Sequence, residues 1–283
     1  MSNTVQWSSS TPGYLIFLID QSGSMTESYS EGKSKAEFTA LVINRTINEI
    51  INTNLAGDKV KNRVFISLIG YGGKGGNSVE DIRSDYLSEF ANNPLRIEKI
   101  KKKVSDGAGG LIDIEEDLPV FIEPVAIGST PMGEAFNMAK KLIEAWKNKN
   151  PNNPAPIIIN ISDGMPYEGN FNNQEPEKSI RVAKEIMSIN TNDGPPLIFN
   201  VHIGNSGKEV MFAADINELH EEQAKFLFEI SSVIPDSYKA AALKYDFKIK
   251  DQSRGFIANA KPLDLIKFIN FGSSGANSDL MSR

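Results

Sequence analysis

Three short segments place oxygen donors where apolar runs stop. Asp20, Ser22 and Ser24 alternate in Asp20-Gln21-Ser22-Gly23-Ser24, directly after the run Tyr14–Ile19. Asp163 follows the run Ile157–Ile161, in Ser162-Asp163-Gly164. Thr130 lies in Ser129-Thr130-Pro131-Met132-Gly133. A carboxylate and two hydroxyls at alternate positions, with Gly23 letting the loop wrap, suit a small hard cation such as Mg²⁺. An Asx or Ser turn leaving a strand accounts for Asp20–Ser24 equally simply, with no ligand at all.

Other chemistries fit less well. Asp20 beside a bound Mg²⁺ is compatible in principle with a phosphoryl-transfer nucleophile. Hydrolases of that kind resemble Asp-x-Asp, however, and position 22 is Ser. Neither Ser22 nor Ser24 sits in the G-x-S-x-G elbow of a serine hydrolase. The two histidines are His202, inside an apolar stretch and expected as a satisfied core residue, and His220, among acids in an expected helix and exposed. There are no cysteines, which excludes disulfides, thiolate metal sites and cysteine nucleophiles. Gly70–Gly75 matches G-x-G-x-x-G, but Asn77–Ser84 after it is polar and lacks a helical stripe. A dinucleotide fingerprint must open directly into a helix, so a turn at the sheet edge is the better reading.

The composition is that of an ordinary globular protein, with 40% hydrophobic and 23% charged residues in 283. A formal net charge of −6 argues against a nucleic-acid footprint. Met1–Gly13 is a polar extension with neither the basic start nor the apolar core of a signal peptide. No apolar run approaches the roughly 20 residues that span a bilayer. A cytoplasmic, non-membrane protein is the expectation.

The elements that must position these groups follow from periodicity. Tyr14–Ile19, Val64–Ile69, Ile157–Ile161 and Leu197–Ile203 read as strands buried on both faces, and Gly255–Ala258 as a short last strand. Helical stripes cover Ala36–Asn52, a stretch running to about Lys147 with Pro131 in its first turn and Thr130 near the N-cap, Glu177–Ile189, Glu218–Ser232, Asp236–Tyr245 and Leu263–Phe271. The alternation predicts a doubly wound α/β domain over 14–271, with a mostly parallel sheet, helices on both faces and one antiparallel edge strand. The stretch 77–124 reads as an irregular insertion: a short strand at Tyr86–Phe90, a helix or hairpin at Leu95–Val104 with a solvated lysine run, an acidic surface turn at Asp113–Asp117 and a strand at Val120–Ile122. The tail Gly272–Arg283 is expected to be disordered. In such a sheet the carboxyl ends of the central strands share one crevice. Two carboxylates and three hydroxyls then converge on one octahedral cation.

With that constellation assembled, the chain resembles the von Willebrand factor A family and its metal-ion-dependent adhesion site. The family pattern is Asp-x-Ser-x-Ser, a distant Thr and a distant Asp, usually followed by Gly. It is met by Asp20, Ser22 and Ser24, by Thr130, and by Asp163-Gly164. The segment Ser129–Gly133 looks most like bacterial intracellular members, including those associated with tellurium resistance. The resemblance implies a protein-interaction module and not an enzyme. A divalent ion, Mg²⁺ or else Mn²⁺ or Ca²⁺, would be ligated by the hydroxyls of Ser22, Ser24 and Thr130, with Asp20 and Asp163 holding its waters. One position would remain for an acidic side chain of a protein partner. Few direct anionic ligands leave the ion strongly attractive to that carboxylate.

Overall fold

The computed structural model describes residues 3–30, 32–105, 111–167, 176–204, 208–260 and 262–273. The chain opens with β1 (Gly13–Asp20), a small hairpin of β2 (Ser28–Ser30) and β3 (Lys33–Ser34), and α1 (Lys35–Thr53). A second small hairpin, β4 (Leu55–Ala56) and β5 (Lys59–Val60), leads to β6 (Val64–Tyr71), β7 (Val79–Tyr86) and α2 (Leu87–Asn92). A long hairpin follows, β8 (Arg96–Ser105) and β9 (Leu111–Val120), then α3 (Met132–Lys149) and β10 (Ile157–Ser162). The remainder is α4 (Pro176–Met187), β11 (Leu197–His202), β12 (Val210–Met211), α5 (Glu222–Glu229), α6 (Lys239–Lys244), β13 (Phe256–Ala258) and α7 (Pro262–Ser273).

The main sheet has the order β12-β13-β11-β10-β1-β6-β7. From β13 to β6 every pairing is parallel. The chain leaves β1 through α1 to add β6 on one side, and later returns through α3 to add β10 on the other. The winding therefore reverses between β1 and β10, which is the switch point where open α/β sheets bind ligands.

β1 explains why its sequence is a continuous apolar run. Successive side chains of a strand point to opposite faces. Leu15, Phe17 and Ile19 join one core with Phe38, Ile43 and Ile47 of α1 and Phe268 of α7. Tyr14, Ile16 and Leu18 join the other with Phe136 and Ile143 of α3, Val182 of α4 and Leu227 of α5. Two covered faces leave no solvent side to alternate toward. The helices start where local chemistry lets them. Ser34 caps α1 in a reciprocal box with Glu37: the Ser34 Oγ accepts from the Glu37 N–H at 3.2 Å and the Ser34 N–H donates to Glu37 Oε2 at 2.7 Å.

The insertion departs from the sequence reading. Asn77–Ser84 is mostly the antiparallel edge strand β7, and Tyr86–Phe90 lies largely in helix α2. None of the residues of β7 is fully buried and its burial does not alternate, so there is no apolar alternation for periodicity to find. The lysine-rich stretch is a strand, and the acidic run expected as a turn is the strand opposite it. Their register sets Lys99 opposite Asp117, Lys101 opposite Glu115 and Lys103 opposite Asp113. The Lys99 ammonium lies 3.8 Å from Glu115 and 3.9 Å from Asp117, and opposite charges across a ladder favour pairing. Asn44 of α1 anchors the end of this arm, since its Oδ1 accepts from the N–H groups of Phe121 and Ile122 and its Nδ2 donates to the Ile122 carbonyl. Val120 closes β9, whereas Phe121 and Ile122 run on outside any strand.

Further differences are smaller. A second antiparallel edge strand, β12, pairs with β13 through two residues. Pro131 is the N-cap of α3, so the helix starts at Met132, one residue later than expected. The stretch expected as a helix from Glu218 begins as a single 3-10 turn, Ile216–Glu218, and its α-helix is only Glu222–Glu229. His220 is exposed and lies between them. The second expected helix likewise opens with a 3-10 turn, Asp236–Tyr238, before α6. The polar N-terminal extension carries one buried apolar anchor, Trp7, which lies against Gly13. Of the tail expected to be disordered, Gly272 and Ser273 complete α7 and the rest lies outside the described residues.

Candidate functional site

The parallel register brings the carboxyl ends of β1 and β10 side by side. Ile19 pairs with Ile161, so Asp20 and Ser162 are neighbours. The Ser162 hydroxyl donates to Asp20 Oδ2 at 2.6 Å, and the Ser22 N–H donates to Asp20 Oδ1 at 2.9 Å. Asp20 is 1% exposed. Burial, and next the charge of Asp163, push its carboxyl up to about 6, although the bonds from Ser162 and Ser22 work in the opposite direction. The neighbouring Asp163 charge adds to the cost of ionising Asp20, and a dication would relieve it.

The loop after Asp20 turns through a 3-10 segment, Gly23–Thr26, which places both serine side chains toward each other. The Ser22 and Ser24 hydroxyls lie 3.1 Å apart, and Ser24 Oγ donates to Asp163 Oδ1 at 2.9 Å. Asp20, Ser22, Ser24 and Asp163 thus form one connected polar cluster. The loop that carries Thr130 is tied to the same region by backbone bonds of Ile127 and Gly128. The Gly23 N–H donates to the Gly128 carbonyl, and the Ile127 N–H to the Gln21 carbonyl. On its other side Thr130 bridges to Tyr167 in both directions, at 3.2 and 2.8 Å.

The glycine-rich turn proves to be a structural neighbour of this site. It joins β6 to β7 and does not open a helix. The Ser129 N–H donates to the Gly76 carbonyl, and the Ser129 hydroxyl bonds Gly76 and Asn77. Gly72 has φ +84° and Gly128 φ +91°, and a Cβ at either would strike a backbone carbonyl of the facing loop, Ser129 or Gly76. These two glycines let the Asp20, Gly72 and Thr130 loops pack backbone against backbone.

Lys35, at the first position of α1, is a site residue that sequence reasoning missed. Its Nζ lies 2.8 Å from Asp163 Oδ2 and 2.6 Å from Glu27 Oε2, and its side chain is 6% exposed. Burial alone would lower its basicity, but the bonds and charges of Asp163 and Glu27 outweigh it and raise the ammonium's pKa. One signal was legible: a lysine at the start of a helix opposes the helix dipole and needs a reason to be there. Ser162, which orients Asp20, was also passed over, although it stands directly before Asp163.

His202 is buried as expected, but it is not fully satisfied. Its Nδ1 has no hydrogen bond and lies 3.8 Å from Glu221 Oε2. Burial lowers its pKa, against the opposing pull of Glu221. Among the described residues no group of three or more His, Cys, Asp or Glu side chains is placed to hold a metal ion. Any cation here would depend on hydroxyl and water ligands, which is the donor set Mg²⁺ accepts. Asp20 and Asp163 supply two carboxylates, and Ser22 and Ser24 supply two hydroxyls already in contact with them or with each other. No described helix is long and apolar enough to cross a membrane.

No family model matches the chain, and no curated protein matches it in sequence. Solved structures to which it is similar include the vWF domain of the type V pili tip protein Mfa5 from Porphyromonas gingivalis, at 13% identity and a TM-score of 0.45, covering 93% of this chain and 95% of that one. The pilus adhesin SpaC from Lactobacillus rhamnosus GG is similar at 14% identity and a TM-score of 0.48, and the match spans 93% of this chain but only 30% of SpaC. The ArnB paralog VWA2 from Sulfolobus acidocaldarius is similar at 16% identity and a TM-score of 0.32, over 69% of this chain and 35% of that one. These likenesses are weak, and the doubly wound α/β architecture stands on the chain's own strand order and register.

Proposed function

We propose that this chain is a metal-dependent protein-interaction module of the von Willebrand factor A type. It captures an acidic side chain of a protein partner through a divalent cation, Mg²⁺ or alternatively Mn²⁺ or Ca²⁺. The cation is held by Ser22, Ser24 and Thr130, with Asp20 and Asp163 fixing its waters. The observation that carries this reading is the polar cluster at the β1–β10 switch point: two near-buried carboxylates, Asp20 and Asp163, linked through Ser22 and the Ser24 hydroxyl. What the ion supplies when bound is positive charge for the incoming carboxylate. What the chain supplies is orientation, through the Ser162 and Ser22 bonds to Asp20 and the Ser24 bond to Asp163. The resemblance of Ser129–Gly133 to bacterial intracellular members extends the proposal to a cytoplasmic stress-response or signalling system of the tellurium-resistance kind.

The alternative, Mg²⁺-dependent phosphoryl transfer with Asp20 as nucleophile, has the geometry against it. A nucleophile must meet its substrate, whereas Asp20 is 1% exposed and both its oxygens already accept hydrogen bonds. The test is affinity capture with the wild type, Asp20→Ala and Thr130→Ala, each in Mg²⁺ and in excess EDTA. Capture by the wild type in Mg²⁺ alone is expected, with both variants folded and inactive. Capture that survives EDTA and both substitutions refutes the proposal. Turnover of a phosphate ester in Mg²⁺ that Asp20→Asn abolishes favours the enzyme instead.

A further inference from the structure

Resting on that reading of the site, we propose that Lys35 is an internal counter-cation that weakens the hold on the metal and leaves more of the metal's charge for the acidic ligand. The lysine is in an improbable place for any other purpose. It occupies the first position of α1, where a positive side chain opposes the helix dipole. It is also buried, and lysines are seldom fully buried unless paired. Its two partners are carboxylates, and one of them, Asp163, belongs to the candidate site.

The charge logic follows from those contacts. Asp20 and Asp163 alone would formally neutralise a dication. Lys35 offsets Asp163 from the protein side, so the loaded site keeps more of the ion's positive charge for an incoming ligand. Glu27 completes the ammonium's shell, but its side chain is 57% exposed and water screens it. Geometry is served as well. The ammonium holds Asp163 Oδ2 while Ser24 holds Oδ1, so the carboxylate is fixed at both oxygens. A merely structural lysine would support metal binding. A counter-cation opposes it, and the two roles predict opposite signs.

The experiment titrates Mn²⁺ alone into the wild type, Lys35→Met and Lys35→Arg, reading water-proton relaxation, and then adds acetate as the carboxylate probe. In Lys35→Met, Mn²⁺ should bind on the order of tenfold more tightly, because a unit positive charge near the ion is gone. Acetate should bind the loaded variant more weakly than the loaded wild type. Lys35→Arg keeps the charge and should stay near the wild type in both. Unchanged or weaker Mn²⁺ binding by Lys35→Met that unfolds cooperatively overturns the inference. If Lys35→Met does not fold, Lys35→Gln, neutral but able to donate to Asp163, decides: Mn²⁺ should again bind more tightly, and unchanged or weaker binding overturns the inference. A wild type that binds no Mn²⁺ defeats the cation site itself, and this inference with it. A wild type that binds, with no tightening in Lys35→Met, defeats only the role of Lys35.

Discussion

Replacing Asp20 by Asn should stabilise the metal-free protein at neutral pH. Asp20 is buried, and burial together with Asp163 moves its carboxyl from 3.8 to about 6. At 1.36 kcal/mol per pH unit this corresponds to about 3 kcal/mol of destabilisation when the group is ionised. The sign follows from proton binding. The folded carboxyl holds its proton more tightly than the unfolded one, so between pH 3.8 and about 6 the folded state carries more protons. Stability therefore falls as pH rises through that window and stays reduced above it. Asn keeps the contacts, because its Oδ1 can accept from the Ser22 N–H and its Nδ2 can donate to the Ser162 hydroxyl. Urea unfolding in EDTA, compared between wild type and Asp20→Asn, measures the effect. The variant should be more stable by up to about 3 kcal/mol at pH 7.5, with the difference shrinking toward zero near pH 3.5. Added Mg²⁺ should stabilise the wild type, by about 2.7 kcal/mol at a hundredfold excess over Kd, and leave Asp20→Asn unmoved. An Asp20→Asn protein less stable than wild type at pH 7.5 in EDTA, with the same pH slope, refutes the reasoning.

Three further outcomes are expected. Ser162→Ala removes the 2.6 Å bond to Asp20 Oδ2, so the Asp20 titration should move to higher pH and Mn²⁺ binding should weaken, as read by carboxyl resonances and by relaxation titration. Asn44→Ala leaves the buried N–H groups of Phe121 and Ile122 without their acceptor, and should lower stability by about 2–4 kcal/mol in urea unfolding. Gly72→Ala would place a Cβ at φ +84° against the Ser129 carbonyl. It should cost about 1–3 kcal/mol from backbone strain, and should weaken Mn²⁺ binding by shifting the Thr130 loop; wild-type values for both would contradict the loop packing described above.

Much of the scaffold was legible in the chain. β1, β6, β10 and β11 are covered on both faces, so their sequences are largely apolar, interrupted by the buried polar residues Ser67, Asn160 and Asn200, and α1, α3 and α4 carry one apolar stripe each. The ends of those runs are equally plain, which is why Asp20, Ser22, Ser24 and Asp163 stood out at once. Asp20, Ser22, Ser24 and Asp163 then proved to be one bonded cluster, whereas Thr130 is joined to it through backbone bonds of its loop. The insertion was not legible because β7, β8 and β9 are held as antiparallel ladders. Backbone pairing leaves no hydrophobic period along the chain.

The sequence by itself determined the local chemistry: which oxygen donors exist, that they terminate buried strands, and that no thiol is present. It did so because burial and backbone preference act over a few neighbouring residues. Only the tertiary structure decided which charges meet. Lys35 and Asp163 are 128 positions apart, and Asp20 and Ser162 are 142 apart. Their contacts arise from parallel register and from the packing of α1 over the sheet, which no local pattern encodes. That packing placed an ammonium against one of the two carboxylates first read as holding a cation's waters.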